Sequence, residues 1–86
     1  MARAIYYGAM TNTERFSEAY SKALTKCIEK NPDDYMYKVD HIPEMVVKFV
    51  PALAKGEAQL GPASKAAARA CGIKPTIGAI KTFLNS

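Results

Sequence analysis

Residues 11–31 read TNTERFSEAYSKALTKCIEKN, and their pattern sets the architecture around them. Thr11, followed three positions later by Glu14, is a capping-box arrangement in which each side chain satisfies an orphan backbone N–H at a helix start. Phe16, Ala19, Tyr20, Ala23, Leu24, Cys27 and Ile28 then recur at steps of three and four, the period of one buried helix face. Glu18 and Lys22 make a favourable i,i+4 pair on the outer face. Lys22, Lys26 and Lys30 share a row there beside Glu18 and Glu29, which reads as a solvated face before a phosphate site. Asn31-Pro32 ends the helix, because a residue before proline avoids the helical region.

On either side of this helix the period changes. ARAIYYGAM, residues 2–10, has isoleucine and tyrosines but no helical stripe, and reads as a short strand entering a turn at Gly8. YMYKV, residues 35–39, puts Tyr35, Tyr37 and Val39 on one side and Met36 and Lys38 on the other, as a half-buried strand does. Two strands joined by a long helix are normally parallel with a right-handed crossover. So small a sheet needs helices over it, or a second copy of the chain extending it as a homodimer. Stacking of the tyrosines on bases lacks its usual glycine-aromatic signature, and core or rim packing is the better assignment. From Pro43 onward Met45 or Val46, Phe49, Val50 and Leu53 form another helical stripe, and Pro51 inside it predicts a kink. VVKFV as a strand, followed by a short helix from Pro51, is the alternative. Gly56 ends the element, and GEAQLGP is a loop.

After Gly61-Pro62 comes a stripe of small residues, Ala63, Ala66, Ala67, Ala70 and Cys71, that lets another backbone approach closely. Gly72 falls where a left-handed residue ends a helix, with Ile73 covering the last turn. Pro75 restarts the chain at a first helical position, and Ile77, Ile80 and Leu84 continue an apolar row from Ile73. The whole is expected to be α+β: a short two-stranded sheet with a long amphipathic helix, followed by a kinked helix and a C-terminal helical hairpin. Its 86 residues fit one domain, with residues 1–57 as a strand-helix-strand-helix part and 58–86 as a basic hairpin.

Charge divides along the same boundary. Residues 1–57 carry eight basic and eight acidic side chains, whereas residues 58–86 carry Lys65, Arg69, Lys74 and Lys81 with no acid, so the whole net charge of +4 lies in the C-terminal third. A one-sided positive field attracts polyanions, of which nucleic acid is the commonest. The segment SKAAARACGIKPTIGAIKTFL, residues 64–84, resembles a helix-turn-helix motif of DNA-binding regulators, with Ala68, Gly72 and Ile73 in the order small residue, glycine, branched residue. The resemblance implies that Lys74, Gly78, Lys81 and Thr82 face a groove while Lys65 and Arg69 hold phosphates. It departs from the usual pattern in that Ile77 arrives one position early and Gly78 takes the expected core position.

Catalytic vocabulary is thin: no glycine-rich phosphate loop, no HExxH, no GxSxG and a single histidine, His41, which reads as a helix-entry residue. Asp33, Asp34, Asp40 and Glu44 are the only acid cluster, and acids beside Pro32 are commonly turn and capping residues. Cys27 and Cys71 lie in no metal-type spacing, so no cofactor or metal is expected, and without a secretory signal they read as buried reduced thiols of a cytoplasmic protein. No run approaches a membrane-spanning length. The expectation is a small non-enzymatic module binding nucleic acid through Lys65, Arg69, Lys74, Lys81 and Thr82. The alternative is a protein-binding inhibitor or adaptor of the sort phages use, anti-CRISPR-like, directed at a host enzyme or a nucleic-acid-associated complex.

Overall fold

A computed structural model describes residues 10–31, 33 and 39–86 of the chain. In chain order they form α1 (Asn12–Lys30), a 3-10 turn (Val39–His41), α2 (Ile42–Ala54), α3 (Pro62–Ala70) and α4 (Ile77–Leu84). No strand occurs among the described residues, which are 73% helical, and the α+β expectation is corrected to an all-α fold. The segments expected as strands, 2–10 and 35–39, lie outside the described residues except at their last positions, Met10 and Val39. Val39 opens the 3-10 turn. The physical reason is coverage: the apolar face of α1 is buried by three other helices, so the core closes without a sheet. Alternation over five residues was also too short a signal to exclude helical turns.

The capping box forms as the sequence predicts. Thr11 Oγ1 accepts from the Glu14 N–H at 3.0 Å, and Glu14 Oε1 accepts from the Thr11 N–H at 2.9 Å. Phe16, Tyr20, Leu24 and Ile28 are buried along one row of α1, with Ala19, Ala23 and Cys27 half-buried beside it. The close helix pairs are α1 with α3, α1 with α2, α2 with α4 and α1 with α4, which makes α1 the hub of the fold. Among the described residues, Phe16, Leu53 and Ile80, from α1, α2 and α4, are the largest side chains wholly removed from solvent.

α2 is a single helix that runs through Pro51, so the strand-plus-helix alternative is set aside. Proline removes the donor that would serve the Val47 carbonyl. Both residues are exposed, and water can serve that carbonyl in its place. α2 and α3 end alike. Gly56 and Gly72 take left-handed φ angles of 75° and 77°. The N–H groups of Glu57 and Ile73 reach back to the carbonyls of Ala52 and Ala68 at 2.8 and 3.0 Å, and those of Gly56 and Gly72 to Leu53 and Arg69, both at 3.0 Å. This is the Schellman pattern, anticipated at Gly72.

Two details of the C-terminal third differ from expectation. α4 begins at Ile77 with Thr76 as its N-cap, the Thr76 hydroxyl accepting from the Ala79 N–H at 3.2 Å, so Pro75 lies before the cap and not at the first helical position. The buried stripe of α3 is Ala63, Ser64, Ala67 and Ala68, rotated from the expected stripe so that Ala66 and Ala70 are exposed. Ser64, the buried polar side chain among the described residues, lies beside the Tyr20 phenol of α1. The α4 C-terminus is then fastened to both neighbours. The Asn12 amide donates to the Phe83 carbonyl at 3.1 Å and to Ser86 Oγ at 2.8 Å, and the Asn85 amide donates to the carbonyls of Ala54 and Lys81 at 2.7 and 2.8 Å.

Candidate nucleic-acid interface

Lys65, Arg69, Lys74, Lys81 and Thr82 are all exposed. No ion pair engages any of the four cations among the described residues, whose single salt bridge joins Lys22 to Glu18 at 3.5 Å. The structure sorts them into three places. Lys65 and Arg69 stand one helical turn apart on α3, opposite the face that packs on α1. Lys74 and Thr82 border a shallow concavity of about 530 Å³ whose floor includes Ile73, Gly78, Ala79 and Phe83. Gly78 offers open space at that floor, with nothing within 4 Å of where a side chain would begin. Lys81 turns elsewhere: its Cδ lies 3.4 Å from the position a Gly56 side chain would take, so its stem lies on the turn that ends α2. Its ammonium there faces the negative end of that helix.

α3 and α4 are not one of the closely packed pairs. In the helix-turn-helix arrangement the first helix supports the second; here α1 holds α3, and α2 with α1 holds α4. The tight turn between them is the feature shared with that motif. Ala68, the position assigned to admit the second helix, is fully buried and its carbonyl accepts from the Ile73 N–H.

A second basic surface was not singled out from the sequence. Arg15, Lys22 and Lys26 of α1 border a groove of about 400 Å³ between α1 and α3, floored by Ala19, Ala23, Ala66 and Ala70, with Met10 and Cys71 also lining it. The Arg15 guanidinium lies 5.8 Å from the Phe83 ring centroid, which ties this groove to α4. The row of lysines was legible as a solvated face; what hid the groove was the rotation of α3 that turns Ala66 and Ala70 outward. Cys71 is half-buried, and burial pushes its thiol up from the usual range while the nearby Arg15 charge pulls it down. Cys27 is likewise a half-buried free thiol, so both cysteines are less enclosed than the sequence suggests.

Asp33, Asp40 and Glu44 join no metal-type cluster among the described residues; Asp34 lies outside them. His41 occupies the N-cap position of α2. No helix among the described residues is long and apolar enough to cross a membrane. In comparisons with protein-family models, curated proteins and solved structures, the chain matches none.

Proposed function

We propose that the protein is a small, non-enzymatic nucleic-acid-binding module of the cytoplasm whose contacts come from the C-terminal third. The observation that carries this reading is the exposure of Lys65, Arg69, Lys74 and Lys81, unpaired among the described residues, on a segment with no acid. Phosphates are the natural partners of such cations, since neutralising them releases counterions into solution. Lys65 and Arg69 act on the backbone, and Lys74 with Thr82, around the open floor at Gly78, provides a place where a strand approaches α4 closely. Lys81 contributes through its field more than through direct contact, because its stem lies over Gly56.

The test is purification from a lysate with and without nuclease. The parent is expected to carry nuclease-sensitive absorbance at 260 nm, and the variant with Lys65, Arg69, Lys74 and Lys81 all changed to Ala is expected to lose it. Equal absorbance in both would contradict the assignment.

A second reading, a protein-binding inhibitor or adaptor, is supported by one other feature. Pro43, Val47 and Pro51 form an exposed apolar row along α2, with Val47 74% exposed. Exposed apolar rows rimmed by charges such as Glu44 and Lys48 are a common mark of protein contact surfaces.

A further inference from the structure

The groove between α1 and α3 combines two properties that the C-terminal cations do not. Its floor is built from methyl groups: Ala19 and Ala23 from α1, and Ala66 and Ala70 from α3. Its cations stand on one wall, where Arg15, Lys22 and Lys26 outnumber the single acid, Glu18, by three to one. That acid already lies 3.5 Å from Lys22, so the wall presents surplus positive charge to anything that enters. Met10, one of the two large apolar side chains left exposed among the described residues, stands at the same groove. A methionine adapts its shape to an incoming apolar surface.

We propose that this groove docks an acidic amphipathic helix of a partner protein, its apolar row on the alanines and its carboxylates toward Arg15, Lys22 and Lys26. The furrow between two packed helices accepts a third helix by ridge-and-groove packing, and alanine floors allow close approach. From Arg15 to Lys26 the wall rises about 16 Å at 1.5 Å per residue, the length of about three turns of a partner helix. Arg15 is partly pre-placed by its contact with the Phe83 ring, and a guanidinium can hold a carboxylate through two parallel hydrogen bonds. Nucleic acid suits this surface less well. Among the described residues no aromatic ring lines the groove to stack a base, and a methyl floor offers nothing to a phosphate. The docking is independent of the nucleic-acid reading, because it uses α1 and the Ala66 and Ala70 face of α3, and neither Lys65 nor Arg69 lines the groove.

The probe is a fluorescent synthetic helix of about 18 residues, with leucine and alanine on one face and glutamates flanking it, titrated against the full chain by anisotropy. Saturable binding is expected, weakened at least about tenfold by the double change Lys22→Ala and Lys26→Ala, and abolished by Ala66→Glu or by Ala70→Glu. Both alanines are exposed, so those two variants keep the fold, as unchanged melting would verify. Lys65→Ala with Arg69→Ala should leave peptide affinity as it was. Absence of saturable binding would overturn the proposal. So would equal binding of a peptide with lysines in place of the glutamates, or an oligothymidylate whose own binding is lost in the Ala66→Glu variant, which would give the groove to nucleic acid.

Discussion

At the scale of single residues, Tyr20 of α1 and Ser64 of α3 are buried side by side. Burial raises the Tyr20 phenol above its ordinary value of 10.0, while the hydrogen bond with Ser64 works in the opposite direction. In the unfolded chain the phenol ionises first as pH rises, so its contribution to stability is complete below about pH 10 and is lost progressively above it. Tyr20→Phe should therefore flatten the fall of stability with pH in that alkaline window. It should also cost about 1 kcal/mol at neutral pH, because the variant removes the hydroxyl that lies beside the buried Ser64. Denaturant titrations at a series of pH values, parent against variant, check both; equal alkaline slopes would contradict the first. Cys71 gives a second residue-scale expectation. With its thiol raised by burial and lowered by Arg15, alkylation of the native protein in a Cys27→Ala background should be slower than that of a free thiol, and slower again after Arg15→Ala. A faster reaction in the Arg15 variant would show that access, and not charge, sets the rate.

At the scale of elements, α1 carries the fold. Leu24 sits 3% exposed in the middle of its buried row, and Leu24→Ala should cost about 2 to 5 kcal/mol by chemical denaturation. A loss below about 1 kcal/mol would mean that the core does not centre on α1. Pro51 predicts the reverse sign. It stands exposed inside α2, so Pro51→Ala restores a backbone donor for the Val47 carbonyl and should raise stability by about 1 to 3 kcal/mol. Elements with their own local chemistry were readable from sequence: the Thr11–Glu14 capping box, the stripe of α1 and the Gly72 stop all depend on neighbours within a few positions. The strand assignments rested on isoleucine and tyrosines without a helical stripe at 2–10 and on five residues of alternation at 35–39, neither of which can reveal that other helices already cover α1. The rotation of α3 was not readable either. Alanine on every side of a helix leaves its buried face to be chosen by the helix it packs on, here α1. For the same reason the exposed cations of α3 and α4 could be named from sequence, but the groove facing Arg15, Lys22 and Lys26 could not.

At the scale of the whole molecule, a neutral larger part carries a C-terminal third with all the excess charge, and the fold keeps that charge at the surface. Lys65, Arg69 and Lys74 follow one another along α3 and the turn after it, while Lys81 sits over the end of α2. If these cations hold phosphates, the salt dependence of binding should report their number, because each phosphate contact on duplex DNA contributes about 0.9 to the log–log slope. Lys22→Ala with Lys26→Ala serves as the matched control, removing charge from α1 and leaving the C-terminal third intact. The decisive measurement is the affinity for a duplex oligonucleotide as a function of salt concentration, for the parent, for this control and for the variant with Lys65, Arg69, Lys74 and Lys81 changed to Ala. The parent should bind at low salt, the control should retain nearly the parent slope, and the quadruple variant should bind more weakly with a slope flatter by up to about 3 to 4 units. A quadruple variant with the parent's affinity and slope, or a parent that binds neither DNA nor RNA at low salt, would contradict nucleic-acid binding through the C-terminal third.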